Sequence, residues 1–279
     1  MAEIKLDTYR KLDYPGLMHR RVDVWLPPKY HDGDETRFPV LYMQDGQNLF
    51  HPRFSIGFGW QVAETITDLA ERERITPPIV VGITSTANRV GDYMPQKPFE
   101  KHWAEAAARE ELSRLSAGDE KPIGDLYLRW MVEILKPFID RTYRTLPEKE
   151  HTAVMGSSMG ALISLYALCE YPQSFGMAAC LSTHWPIVGQ AMLDYCRETL
   201  PPAGTHRLYF DHGTLDLDSQ YGPWQEKMNA LMLEKGYTEG KDWESWVFPG
   251  DGHRENYWAH RLHIPLTFLF GTELENSHY

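Results

Sequence analysis

The sequence predicts an α/β fold: a mostly parallel central sheet with helices on both faces. Two observations carry that expectation. Short apolar runs alternate with longer segments of helical period from about residue 20 onward. Several of the runs, IVVGI and MAACLS among them, are apolar at every position, as strands covered on both faces are.

Taken in order, the strand candidates are Arg21–Leu26, Val40–Gln44, Ile79–Thr84, Ala153–Gly156, Met177–Ser182, Leu208–Asp211 and Ser245–Phe248. Helical spacing is expected over Val62–Arg74, Asp125–Thr142, Gly160–Glu170, Pro223–Gly236 and Tyr257–Phe268. Pro137 should kink or divide the second of these, because it lacks an N–H and its ring crowds the preceding turn. The polar stretch HDGDETR, between the first two strands, reads as a hairpin at one sheet edge. The segment Lys97–Pro122 is too long for an ordinary connection and reads as an insertion or lid-like excursion on a single domain of residues 1–279.

Composition narrows the functional classes. With 42% hydrophobic and 13% aromatic residues, the 279-residue chain can bury a large core. A net charge of −11 argues against a nucleic-acid binder, which needs clustered Lys and Arg. Cys169, Cys180 and Cys196 are odd in number and lack CxxC spacing, so neither a disulfide framework nor a thiolate zinc site is expected. The N-terminal stretch has no continuous apolar segment of signal-peptide type, and no run approaches the roughly 20 residues that span a bilayer. The expected setting is the cytoplasm, with no membrane or nucleic-acid partner.

The sharpest local pattern is Gly156-Ser-Ser158-Met-Gly160, a G-x-S-x-G between an apolar run and a helical one. A serine on a tight strand-to-helix turn projects its Oγ from the sheet edge, and the glycines relieve crowding there. The following helix aims amides at developing negative charge, which makes the Met159 N–H a candidate oxyanion donor. A serine hydroxyl needs a base, and the base needs an orienting acid. His253, in the glycine-containing loop VFPGDGHRENYW, is the best-placed histidine; His260 and His263 fall deeper in a helical pattern. The acid should follow RLYFD, where Asp216 lies beyond Gly213 and is preferred, with Asp218 second. The strand end LYMQDGQNLF offers the Gln47 amide as the other oxyanion donor by position.

Together these residues resemble the putative-esterase family of α/β-hydrolases, which includes ferric-enterobactin, feruloyl and acetyl-xylan esterases and S-formylglutathione hydrolases. The match runs through FPVLYMQDGQNLF, Trp60, Asp92-Tyr-Met-Pro95, GSSMGA, HGTLD and GDGH, from about Arg21 to Phe270. The resemblance implies an α/β-hydrolase fold and a serine esterase with Ser158 as nucleophile, His253 as base and Asp216 as acid. It also puts the Gln47 amide at the family's early-loop oxyanion donor. The implied partner is a small-molecule ester of a polar alcohol, of sugar, aryl or siderophore type. Acyl transfer and thioester hydrolysis use the same residues, and a non-catalytic binding protein is the reading from outside enzymes. The chain lacks the HGGG motif of lipases, and none of its cysteines matches the one S-formylglutathione hydrolases place near the site.

Aromatic residues in the loops could stack on a substrate, and Trp60, Tyr93 and Trp185 are the candidates. The Asp216/Asp218 pair lacks the glycine and distal Glu of a calcium loop, so no metal and no cofactor are expected.

Overall fold

Among the described residues, eight strands form one sheet in the order β1-β2-β4-β3-β5-β6-β7-β8. They are β1 Asp7–Tyr9, β2 Val22–Trp25, β3 Val40–Gln44, β4 Ile79–Ile83, β5 Thr152–Ser157, β6 Met177–Leu181, β7 Arg207–Gly213 and β8 Trp243–Phe248. The computed structural model describes residues 4–33, 35–50, 59–102 and 122–272. β1 and β2 run antiparallel to their neighbours, while every pairing from β4 through β8 is parallel. The register sets Met43 beside Met155, Gly156 beside Cys180 and Leu181 beside Asp211. The carboxyl ends of β3, β5, β6 and β7 therefore meet along one edge, where open α/β sheets build their sites.

Alternation along the strands divides the core in two. Leu41, Met43, Val80, Met155, Ala179 and Tyr209 face the layer formed by the helices Val62–Glu71 and His263–Phe270. Their neighbours Tyr42, Val81, Val154, Cys180 and Phe210 face the opposite layer, as the two-residue period of a strand requires. There the helix Met159–Glu170 buries eleven of its twelve residues. A helix apolar all round is a central one, and it fixes the turn between β5 and itself from both sides.

The structure departs from the sequence reading in several places. HDGDETR does not close a hairpin: β2 pairs with β4, and β4 lies between β2 and β3. Tyr257–Phe268 is two helices, Glu255–Arg261 and His263–Phe270, with Pro265 in the first turn of the second, where its missing N–H costs nothing. Pro137 is accommodated by a π-helical stretch, Met131–Leu135, between Gly124–Trp130 and Lys136–Thr142. Three helices were not anticipated: Arg89–Asp92, Gln96–His102 and Gln190–Thr199. Of the excursion expected at Lys97–Pro122, residues 103–121 lie outside the described residues. No helix among the described residues is long and apolar enough to cross a membrane.

Candidate active site

Ser158 follows the last residue of β5 and caps the Met159–Glu170 helix with φ 57° and ψ −124°. A non-glycine residue with positive φ is strained, and the flanking glycines explain how the turn is tolerated. A Cβ on Gly156 would lie 2.6 Å from the Gly160 carbonyl, and one on Gly160 would lie 3.0 Å from Gln44 Cβ. The Ser158 amide is tied to the Leu181 carbonyl (3.0 Å), which anchors the turn to β6. The Met159 amide stands at the first helical position, where no carbonyl four residues back can take it.

A second turn comes from the end of β3. Asp45 adopts φ 54° and begins a 3₁₀ turn over Gly46–Asn48. A Cβ on Gly46 would be 2.6 Å from the backbone of Gly82, so only glycine lets this turn lie against β4. The first bonded amide of the turn is Asn48, which donates to the Asp45 carbonyl at 2.9 Å, leaving the Gln47 amide ahead of it. The Gln47 side chain staples the turn in place: Nε2 donates to Ser85 Oγ (2.9 Å), and Oε1 accepts from the Ser85 amide (3.0 Å). Arg89 holds the Asp45 carboxylate with Nε and Nη2 at 2.8 and 2.7 Å and stacks over the Tyr93 ring. Burial pulls the Arg89 pKa down, but the Asp45 carboxylate more than offsets this and holds it above the ordinary guanidinium value.

His253 sits in the loop between β8 and the Glu255–Arg261 helix, and its Nδ1 lies 2.6 Å from Asp218 Oδ1. Burial pushes the Asp218 carboxyl up, but hydrogen bonds from His253, Ser182 and the Gly213 amide more than offset it and leave the group below its ordinary value. An ionised carboxylate only accepts, so Nδ1 carries a proton, and in the neutral ring that leaves the lone pair on Nε2. The imidazole is held edge-to-face by Trp258 (centroids 5.0 Å apart) and Tyr221 (5.7 Å).

Asp216, the preferred acid from sequence, does not reach His253. It opens the 3₁₀ turn Asp216–Gln220 at φ 54°, its side chain is 47% exposed, and its charged neighbour is Arg254 at 3.5 Å. Asp218, two residues on, points the other way, into the fold, and is 1% exposed.

Ser158 and His253 line one cleft of about 240 Å³ together with Asp45, Gln47, Asn48, Arg89, Ser157, Glu255 and Trp258. The three aromatic residues expected to touch substrate do not line it. Trp185 is wholly buried against Phe210, Tyr93 lies under Arg89 with its hydroxyl accepting the Asp45 amide (3.1 Å), and Trp60 packs behind Trp258. His260 and His263 are exposed and outside the cleft. Arg89, Glu255 and Asn48 also line the cleft and were not singled out from sequence: Asn48 lies inside the quoted DGQNLF segment, while Arg89 and Glu255 open two separate helices, and the fold brings the three together. Among the described residues no group of three or more His, Cys, Asp or Glu side chains is placed to hold a metal ion.

A strained serine at a strand-to-helix elbow, with a His–Asp pair from later loops beside it, belongs to the α/β-hydrolase class. Residues 18–266 match the model of the family described as "Putative esterase", and the chain belongs to that family, a family of carboxylic-ester hydrolases. The uncharacterized protein YbbA of Bacillus subtilis is 25% identical over 91% of this chain and 93% of its own. Among solved structures, the BES protein of Bacillus cereus superposes with a TM-score of 0.70 at 17% identity, covering 96% of this chain and 95% of that one. The ferulic acid esterase of Anaeromyces mucronatus gives 0.64 at 19% identity, over 95% and 91%. The enterobactin esterase FES of Shigella flexneri gives 0.65 at 16% identity, over 96% of this chain and 59% of that one.

Proposed function

We propose that the protein hydrolyses carboxylic esters of polar alcohols through an acyl-enzyme on Ser158, with His253 as base and Asp218 as its orienting acid. The observation that carries this reading is the 2.6 Å His253–Asp218 hydrogen bond beside the cleft that Ser158 lines. Ser158 Oγ attacks the ester carbonyl carbon as His253 Nε2 takes its proton, and the carbonyl oxygen becomes an oxyanion received by the Met159 and Gln47 amides. The tetrahedral adduct collapses, the C–O bond to the alcohol breaks, and the leaving alkoxide takes the proton from Nε2. A water then gives its proton to Nε2 while its oxygen attacks the acyl carbon. The second collapse frees the acid and returns the proton to Ser158.

Among the described residues, eight of the nine lining the cleft are polar, which favours a substrate carrying hydroxyls or other hydrogen-bonding groups near the ester, and Trp258 supplies a large apolar surface. The solved neighbours named for enterobactin and ferulic acid lie within that chemistry.

A fluorophosphonate probe tests the mechanism. Wild type should be labelled at Ser158 and Ser158→Ala should not; a folded wild type that resists the probe would reject the reading. A panel of acetyl-sugar, feruloyl, catecholate and thiol esters, run with and without an added alcohol acceptor, would then place the substrate and separate hydrolysis from acyl transfer.

A further inference from the structure

Ser182 closes β6 with φ 47°, a backbone conformation a serine adopts only under constraint. Its amide donates to the Asp211 carbonyl at 2.8 Å, which turns the side chain toward the acid loop. The hydroxyl then meets three polar groups. Trp258 Nε1 donates to Oγ at 2.9 Å, Arg261 Nη2 donates at 3.0 Å, and Asp218 Oδ2 lies 2.6 Å away. A hydroxyl has one proton and two lone pairs, and an indole or guanidinium N–H can only donate. With both lone pairs taken, the Ser182 proton has one destination, Asp218 Oδ2.

That oxygen also receives the Gly213 amide at 2.7 Å, so the other oxygen, Oδ1, is the one left to face His253. Arg261 is itself held at three nitrogens: it is 1% exposed, grips Asp211 with Nε and Nη2 (3.1 and 2.8 Å), and reaches Asp251 with Nη1 (2.9 Å). We infer that Ser182, locked as a donor by Trp258 and Arg261, is a positioning residue that aims Asp218 at His253 and keeps the carboxylate ionised. This rests on the triad reading above and extends it to a residue that touches neither Ser158 nor His253.

Other charged and titratable groups surround the pair. Asp211 on β7 and Arg261 approach from the Ser182 side, Tyr221 from the turn after Asp218, and His184 behind Tyr221. Asp251 and Glu255 flank the His253 loop, the Asp45–Arg89 pair faces it across the cleft, and Arg254 lies outward with Asp216. Ser182→Ala leaves all of these in place but removes the donor to Asp218 together with the acceptor of Trp258 Nε1 and Arg261 Nη2, so its pH profile is read beside that of Ser182→Cys, which keeps a weaker donor and acceptor there.

The test is the pH dependence of ester hydrolysis by Ser182→Ala and Ser182→Cys. With the Ser182 donor gone, the Asp218 carboxylate is a stronger acceptor and holds the His253 proton more tightly, so the acid limb of kcat/KM, set by protonation of the general base, should move about half a pH unit up in Ser182→Ala. Its kcat should fall about tenfold with KM held within about twofold. The cysteine variant, a weaker donor of similar shape, should fall between the two, and it decides the matter if the alanine variant does not fold. A profile superimposable on wild type, with only the melting temperature lowered, would overturn the assignment and leave Ser182 a packing residue. Fluorophosphonate labelling of wild type separates the two levels: a labelled wild type with an unshifted variant removes Ser182 alone, whereas an unlabelled wild type removes the triad and this role with it.

Discussion

Gly213 and Asp251 lie so close that a Cβ on the glycine would sit 2.2 Å from the Asp251 carbonyl oxygen. That carbonyl also accepts the Thr214 and Leu215 amides at 2.9 Å each, so the loop carrying Asp218 is sewn to the loop carrying His253. Gly213→Ala should therefore force the two loops apart, costing about 1–3 kcal/mol of stability and most of the activity. Gly252→Ala is the control. Its Cβ would meet Asp216 Oδ2 at 2.4 Å, but that is the end of an exposed side chain that can swing away. Thermal melts and hydrolysis rates on the two variants should separate cleanly; equal losses would show that the Gly213 contact does not control the site.

The choice between the two aspartates is settled by replacement. Asp218→Asn leaves His253 Nδ1 facing an amide that can turn its NH₂ toward it and impose the wrong tautomer, and kcat should fall about a thousandfold or more. Asp216→Asn, at an exposed position paired with Arg254, should keep activity within about twofold. The reverse order would restore the assignment drawn from the sequence.

The two aspartates show where the sequence was legible and where it was not. The central strands were readable because burial on both faces leaves an apolar signature, and Val40–Gln44 matches β3 residue for residue, whereas the exposed edge strand β1 was not anticipated. The elbow was readable because steric demands at Gly156 and Gly160 are written into the motif itself. Asp216 and Asp218 are indistinguishable by type and differ only in phase within a 3₁₀ turn, where two residues carry a side chain to the opposite side. What turns Asp218 inward is the Gly213 amide and the Ser182 hydroxyl, both fixed by tertiary contacts. The supposed hairpin failed for a related reason. A polar loop between two strands is compatible with pairing, but β4 competes for the same edge and wins. The loop aromatics Trp60, Tyr93 and Trp185 lie buried behind the cleft, because burial stabilises large rings more than exposure in a cleft does.

Acid should weaken the fold through the same carboxylate. Asp218 has a folded pKa below its ordinary value, so it binds a proton more readily unfolded than folded. Its contribution is fully present above about pH 4, the ordinary carboxylate value, and is lost as pH falls through the depressed folded value. Denaturant unfolding of wild type and Asp218→Asn between pH 7 and pH 3 should show the stability gap narrowing only at the acid end. A gap constant across that range would mean that the hydrogen bonds to Asp218 do not favour its charged form.

The turn after β3 separates a backbone role from a side-chain role at one residue. The Gln47 side chain holds the turn to Ser85 on both oxygen and nitrogen, while the proposed oxyanion donor is its amide. Gln47→Ala keeps the N–H and loses the staple, so kcat should fall only about tenfold, as the donor is less well aimed. Gln47→Pro deletes the N–H at an early position of the turn, where proline is tolerated, and kcat should fall about a hundredfold to a thousandfold. Circular dichroism and melting temperature would show that both variants fold, and rates on one activated ester would give the ratio. Because the two variants lose the same side chain, the further loss in the proline variant reports the amide. If alanine and proline at position 47 were equally damaging, the second oxyanion donor would have to be sought elsewhere, with the Met159 amide, at the first position of its helix, kept as the first.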